Sequence, residues 1–471
     1  DPARSGPCMT DPNWTVLLPP LIAIGLALFT RQVYLALFTG IWLGYFLLEG
    51  EGVLNALAGA IEAAIGVLAS AGDARVIVFT LVIGAFILTL ERSGGVTGFI
   101  RFLEQRKWVD NGRRAQWMAW FIGIIIFIES NITVLVAGTV SRPLFDRFRV
   151  SREKLAYLID STSAPICMLI PLNAWGAFNL GLLDGLGVDE PLRVLLSSIP
   201  MNLYAISAVL LAAFVVARDF NPGPMAEAER RAAAGESLAV QQDAEILKDS
   251  APPNAWNMLL PVACLVAAMP VFLLITGSGD LFAGSGSTSV LWASLLALMV
   301  VSLLVLFQRS MNLERLTSTW MEGAGAMLPI ATVLLLALAL GGVSKALGTG
   351  VYVAGLVGET LPAWFLPACL FLASSLIAFA VGSSWGTFSI MLPIAVPVAA
   401  ALGVEPTLFV AAVLSGGIFG DHSSPISDTT IVSSLASGTE HIEHVRTQLP
   451  YALIAGAVSF IGFCALGVVV L

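Results

Sequence analysis

The sequence predicts an all-α polytopic membrane protein made of two similar halves of opposite orientation. Each half is expected to hold a re-entrant hairpin followed by a broken helix. Three observations predict this: an apolar composition, repeated apolar runs of bilayer length, and polar proline-containing interruptions inside apolar sequence. Hydrophobic residues make up 57% of the 471 residues and charged residues only 12%, against about 25% charged in an average soluble domain. Apolar cores recur at 14–30, 32–48, 76–90, 194–216, 256–275, 290–307, 327–340 and 451–471. Runs of about 17–25 residues are what a helix needs to cross ~30 Å of hydrocarbon. Their Ala/Leu/Gly composition argues helices, since a barrel shows weak alternation over about ten residues. The first run lacks a basic n-region and a small-residue cleavage site, so it reads as a span and not as a leader.

Charge placement sets the expected topology. The hydrophilic segment 218–254 mixes Glu, Lys, Arg, Ala and Pro and reads as a cytoplasmic linker. It separates a first membrane repeat, 14–217, from a second, 255–471, with 1–13 as an N-terminal tail. Two short loops are cation-rich, 101–114 and the stretch with Arg142, Arg147, Arg149, Arg152 and Lys154. Both are expected in the cytoplasm by the positive-inside rule. The sequence between them, 115–140, is too short to cross the bilayer twice as helix. A re-entrant hairpin over about 115–147 follows, with its tip near Glu129-Ser130-Asn131-Ile132-Thr133. In the second half, 346–445 contains no Lys or Arg. There a hairpin over about 361–402 is expected around Gly382-Ser383-Ser384-Trp385-Gly386-Thr387, opening to the other side.

The two regions align. Glu129-Ser130-Asn131 precedes Pro143 at the spacing by which Ser383-Ser384-Trp385 precedes Pro397. Asp160-Ser161-Thr162-Ser163-Ala164-Pro165-Ile166 matches Asp421-His422-Ser423-Ser424-Pro425-Ile426. Broken helices are therefore expected over about 152–185 and 407–436, interrupted at these hydroxyls and prolines. Hairpins, broken helices and an inverted repeat together make a secondary-transporter architecture.

The polar residues suit ions. Broken helix ends leave carbonyls and amides unpaired, and carbonyls with Ser, Thr and Asn oxygens suit a hard cation such as Na⁺. Two quasi-equivalent sites are expected. One combines Ser130, Asn131 and Thr133 with Asp160, Ser161 and Ser163. The other combines Ser383, Ser384 and Thr387 with Asp421, Ser423, Ser424 and Asp428. A carboxylate can neutralise a cation or carry a proton, so Na⁺ and H⁺ compete for one group. Asp421 and Asp428 are the strongest candidates, ahead of a plain capping role. Glu129 and Asp160 divide more evenly between function and solvation or capping. His422 could titrate near neutral pH or bond structurally to the neighbouring break. His441 and His444, among Glu440, Glu443 and Arg446, read as a solvated connector. Trp175 and Trp385 read as packing residues. The five scattered cysteines suggest neither a disulfide nor a zinc framework. A net charge of −9 without a basic aromatic-interleaved patch points away from nucleic acid, and no Walker motif points to ATP.

At this point the motifs resemble a known family. Phe419-Gly420-Asp421-His422-Ser423-Ser424-Pro425-Ile426-Ser427-Asp428-Thr429-Thr430 resembles the signature of the NhaC family of Na⁺/H⁺ antiporters. Ser384-Trp385-Gly386-Thr387-Phe388 resembles its second hairpin, and residues 151–157 through 161–165 its first-half broken helix. Membership in the ion transporter superfamily implies a scaffold domain, a transport domain with both hairpins, a homodimer, elevator-like movement and a multi-pass place in the cell (inner) membrane. It implies Na⁺ and H⁺ as the moving ions and no other cofactor. Relatives couple Na⁺ or H⁺ to organic solutes such as amino acids or carboxylates. One departure bears on this: family members often carry adjacent acids at the first tip, where this chain has Glu129-Ser130. The Ser-Asn-x-Thr pattern there resembles Na⁺-coupled carboxylate transporters. Na⁺/H⁺ antiport is the leading expectation, with Na⁺-coupled transport of a small organic solute as the alternative. A membrane enzyme using Asp421 and His422 lacks an assembled nucleophile or metal set.

Overall fold

The computed structural model describes residues 13–30, 32–49, 52–104, 109–127, 129–171, 173–235, 252–280, 284–349, 351–352 and 362–471. Among the described residues there are helices and no strands. In chain order the first half holds α1 (Leu18–Thr30), α2 (Val33–Glu49), α3 (Val53–Val67), α4 (Ala71–Arg92), α5 (Gly95–Glu104), α6 (Gly112–Ile125), α7 (Ser130–Arg147), α8 (Arg152–Leu169), α9 (Ala174–Gly185), α10 (Pro191–Ser198) and α11 (Leu203–Arg218). After α12 (Pro224–Ala234) come α13 (Trp256–Thr276), α14 (Gly286–Phe307), α15 (Leu313–Ala346), α16 (Leu366–Val381), α17 (Ser384–Ala401), α18 (Thr407–Ser423), α19 (Asp428–Ser437) and α20 (His441–Val470). The expected apolar cores fall on helices, except that 194–216 is divided at Asn202, where the two pieces meet at 41°. Among the described residues seven helices are long and apolar enough to cross a membrane, or up to ten when each bent pair counts as one span.

Both halves repeat one local order: two helices joined by a tight tip, then a helix in two pieces. In the first half these are α6/α7 and α8/α9; in the second, α16/α17 and α18/α19. The helices pack in two groups. α2, α4, α13, α14 and α15 pack on one another, whereas α8 and α18 lie among the tip helices, α11 and α20. α9 touches both groups, and its Trp175 packs on Trp385 of α17 with ring centroids 4.7 Å apart.

Glycine sets the closest approach. Gly416 and Gly420 lie one turn apart on α18, against the α16 backbone. A Cβ on Gly416 would meet the Phe371 carbonyl, and one on Gly420 the Ser375 carbonyl. This is the small-xxx-small packing by which membrane helices gain van der Waals contact without a hydrophobic drive. Gly417, on the neighbouring face, takes the ring of Phe388 from α17. α18 is thus cradled by both arms of the second hairpin.

The first broken helix differs from expectation. The 160–165 stretch stays inside α8, and the break comes one turn later, at 170–173. Two effects explain it. Thr162 Oγ1 donates back to Leu158 O at 2.7 Å and Ser163 Oγ to Asp160 O at 3.0 Å, so these hydroxyls bond along the helix. Ile170 precedes Pro171, which disfavours helical backbone, and Ile170 has φ −116° and ψ 88°. The two pieces meet at 42°. The second break falls where expected, with Pro425 between α18 and α19.

The start of the segment read as a linker carries α12, which docks on α8 and α20. Met225 and Ala228 are its buried contacts. Lys154 at the start of α8 is fully buried, with Nζ 2.7 Å from Asp219 and 4.0 Å from Glu229 of α12. Arg231 of α12 reaches Glu153 at 3.1 Å and Glu443 at 3.5 Å, bridging α8 to the first turn of α20. The hydrogen bond from Lys154 holds the Asp219 carboxyl below its ordinary value of 3.8.

Gly420→Ala is expected to destabilise the protein by about 1–3 kcal/mol, since the added methyl meets a main-chain carbonyl that cannot rotate away. Gly325→Ala, with open space around it, should be neutral or stabilising. Thermal unfolding in detergent distinguishes the two. A second test concerns pH. Because the folded pKa of Asp219 is depressed, its contribution is fully present above the unfolded value and is lost as pH falls through the folded one. Asp219→Asn should therefore flatten the acid limb of stability below about pH 4; an unchanged limb would remove this pair from the account.

Candidate functional site

The expected second site is assembled in part. Gly382 ends α16 in a left-handed conformation (φ 69°), and Ser383 caps α17 by accepting from Gly386 N. This turn points Ser384 at α18. Ser384 Oγ lies 2.8 Å from Asp421 Oδ2 and 3.2 Å from Gly417 O. Asp421 is 1% exposed. The break itself is stitched to the hairpin: Ser424 Oγ donates to Phe379 O at 2.7 Å, and a Cβ on Gly382 would meet Ile426 O. Thr387 Oγ1 donates to Ser383 O and Ser423 Oγ to Phe419 O, so both serve their own helices. Asp428 begins α19, capped by Ser427; its side chain lies outside the described residues.

The expected first site does not form as grouped. Thr133 Oγ1 bonds the carbonyls of Ile126 and Glu129, closing the tip, and Ser130 Oγ lies 3.3 Å from Glu129 Oε1. Glu129 is buried, not solvated. Ile126, Phe127 and Glu129 are the described residues of the tip, and Ser130 to Thr133 form the first turn of α7; the Asn131 side chain lies outside the described residues. Asp160 turns instead toward the second half. Its carboxylate is fully buried, with Oδ2 accepting from Gln448 Nε2 at 2.6 Å and facing Thr430 Oγ1 at 3.4 Å. Asp160 Oδ1 faces His422 Nε2 at 4.0 Å, and neither atom has a hydrogen-bond partner among the described residues. An unpaired buried carboxylate is costly, so the donors around Asp160 are its condition for staying in the core. Ser161 lies beside it, with Tyr157, Tyr204, His422, Gln448 and Tyr451, around a cavity of about 10 Å³.

His444 corrects the sequence reading. It is fully buried on the first turns of α20, not in a solvated connector. Its Nε2 is 2.9 Å from Gln448 Oε1 and 3.9 Å from Asp160 Oδ2; its Nδ1 is 2.9 Å from Ser434 Oγ. His441 Nε2 meets the Pro425 carbonyl at 2.6 Å. His441, His444, Gln448 and Tyr451 recur at helical spacing, so one face of α20 lines the site. That spacing is the signal that could have revealed them. Gln448 and Tyr204, whose hydroxyl is 3.3 Å from His422 Nδ1, are site residues that sequence reasoning missed.

Asn173 was missed too. It caps α9, accepting from Gly176 N, while its amide lies 2.9 Å from Phe127 O and 2.8 Å from both Cys167 O and Ile170 O. One side chain thereby gathers the carbonyls of the first tip and the end of α8. Among the described residues no group of three or more His, Cys, Asp or Glu side chains is placed to hold a metal.

A buried carboxylate at a polar helix break, with a second inside the helix that faces it, in a multi-pass fold that is helical among the described residues, fits a membrane transporter. The YdaH transporter of Alcanivorax borkumensis has a similar fold, with a TM-score of 0.60 over 88% of each chain at 16% identity. A model of the Na⁺/H⁺ antiporter family matches residues 184–468. An uncharacterized protein of Haemophilus influenzae is 31% identical over 96% of this chain and 91% of its own length. The chain belongs to the Na⁺/H⁺ antiporter family. Shorter stretches are similar to the arginine/ornithine antiporter ArcD of Halobacterium salinarum, 38% identical over 22% of each chain. Others are similar to the malate-2H⁺/Na⁺-lactate antiporter of Bacillus subtilis, 34% identical over 25% of this chain and 27% of that one.

Asn173→Ala should lower stability by about 2–4 kcal/mol, because buried carbonyls at both the tip and the break lose a donor. Asn173→Asp keeps the cap but sets a carboxylate against those carbonyls, so it should rescue nothing. Full recovery by Asp in a thermal unfolding series would show that only the cap matters.

Proposed function

We propose that this protein is a secondary active transporter that exchanges Na⁺ for H⁺ across the cell (inner) membrane by alternating access. The observation that carries the reading is the seam at the end of α18. Asp421 meets the second hairpin through Ser384, and the next residue, His422, faces Asp160. A cation bound at the first and a proton held at the second would share one helix turn. Asp421 with Ser383, Ser384, Thr387 and Asp428 is the proposed Na⁺ site of the second half. Asp160, with Thr430 and Ser161 beside it, takes the place expected of a separate first-half site that would include Ser130, Asn131 and Thr133. Inverted repeats, elevator-type motion against a scaffold group and a homodimer belong to this proposal, supported by the repeated helix order and by membership in the family.

A second reading is Na⁺-coupled movement of a small organic solute. It is favoured by the relatives named for arginine/ornithine and malate/lactate exchange. Against it stands the size of the cavity lined by Ser161, His422 and Gln448, about 10 Å³, at the limit for a single water.

The test is proteoliposome transport with Na⁺, pH and solute gradients varied separately. A Na⁺ gradient should drive protons the opposite way, and Asp421→Asn and Asp428→Asn should abolish that coupling while insertion is unchanged. Wild-type protein that moves no protons under a Na⁺ gradient would sink the exchange reading. Movement that requires an amino acid or a carboxylate would establish the second.

A further inference from the structure

We infer that the Gln448 side-chain amide is a tethered stand-in for the transported cation, occupying the Asp160 end of the pathway when no ion is there. The inference rests on the proposed cation exchange and gives a role to a residue outside both expected sites.

The geometry is that of a cation's place. Gln448 Nε2 donates to a carboxylate oxygen, Asp160 Oδ2, at 2.6 Å, and to a main-chain carbonyl, His422 O, at 2.9 Å. A carboxylate and a carbonyl near a helix break are the oxygen ligands a hard cation uses. The amide is oriented by these two partners, since both are acceptors; Gln448 Oε1 then faces His444 Nε2 at 2.9 Å, which donates to it in the Nε2–H tautomer. The –NH₂ group therefore presents its partial positive charge to Asp160.

A second, independent observation shows that the place has more capacity than the amide uses. Among the described residues Asp160 Oδ1 is buried with no hydrogen-bond partner, and so is His422 Nε2 opposite it. Thr430 Oγ1 stands 3.4 Å from Asp160 Oδ2, and the small cavity adjoins Ser161. An amide serves two acceptors, whereas a cation takes several. If Gln448 swings aside, Asp160 and the His422 carbonyl are released together. Gln448 thus keeps Asp160 from standing as a bare buried anion between ions, and it must be displaced each time one binds. It is a positioning residue that also competes.

Competition and simple support predict opposite signs. Gln448→Met keeps the length of the side chain and removes both donors; Gln448→Asn keeps the amide but is one methylene short. Under competition the half-saturating NaCl concentration falls in both variants, by about tenfold for the loss of a charge-assisted hydrogen bond, and turnover falls as release slows. The measurements are Na⁺-driven transport in proteoliposomes and NaCl-dependent thermal stabilisation of detergent-purified protein, with choline chloride as control. An unchanged or raised half-saturating concentration overturns the inference, as does failure of both variants to fold, which would make Gln448 a structural bond. Wild-type protein with no Na⁺ response in either measurement overturns the exchange reading itself, a result distinct from a Na⁺-responsive wild type with insensitive variants.

Discussion

One buried carboxylate organises this molecule. Asp160 sits in the middle of α8, away from solvent, and among the described residues its own half supplies no side-chain donor to either oxygen. Its hydrogen bonds come from Thr430 on α19 and Gln448 on α20, with His422 and His444 close by. The low-dielectric interior makes such a group affordable only while these partners hold position. The two halves are therefore tied through a polar group whose donors come from the second half.

Close helix packing makes that arrangement possible. Gly416 and Gly420 let α18 lie directly on the α16 backbone, which brings Asp421 within reach of Ser384 and leaves His422 facing α8. Successive residues at the end of a helix point about 100° apart. Asp421 and His422 can thus serve different neighbours from one turn. The clasp at the other end of α8 works in the same sense. Lys154, Glu153 and Arg231 fix where α8 and α20 begin, and so where Asp160 and Gln448 meet.

The second half was legible in the sequence because its polar residues are consecutive and its proline lies in a true break. Gly382 and Ser383 announce a tip for a local reason, a left-handed residue followed by a capping hydroxyl. The first half misled because the same residue types lie inside a helix there. Hydroxyls that bond back to the preceding turn cannot be told from hydroxyls at a break by composition alone. The sequence also assigns Asp160 to the tip of its own half, since nothing local says that α19 and α20 will supply its partners. His444 and Gln448 were hidden for another reason. They occupy the buried face of a helix start whose other faces carry Glu440, Glu443 and Arg446, and the charged residues dominate the impression of polarity. The period of the buried positions held the information, but it ran through polar side chains, where an apolar stripe is usually sought.

The separation of the two carboxylates bears on coupling. If Na⁺ and H⁺ simply competed for one acid, that acid would suffice, and the second buried carboxylate would be an unexplained cost. Here Asp421 faces the hairpin and Asp160 faces α20, with a single helix end between them. A shift of that end toward the hairpin lengthens the His422 carbonyl contact with Gln448, and a shift the other way strains the Ser384 bond. In the exchange we propose, an ion drawn to Asp421 would therefore alter the surroundings of Asp160 through the backbone, without any direct contact between the two. Differential stabilisation of two positions of α18 is all that such coupling requires.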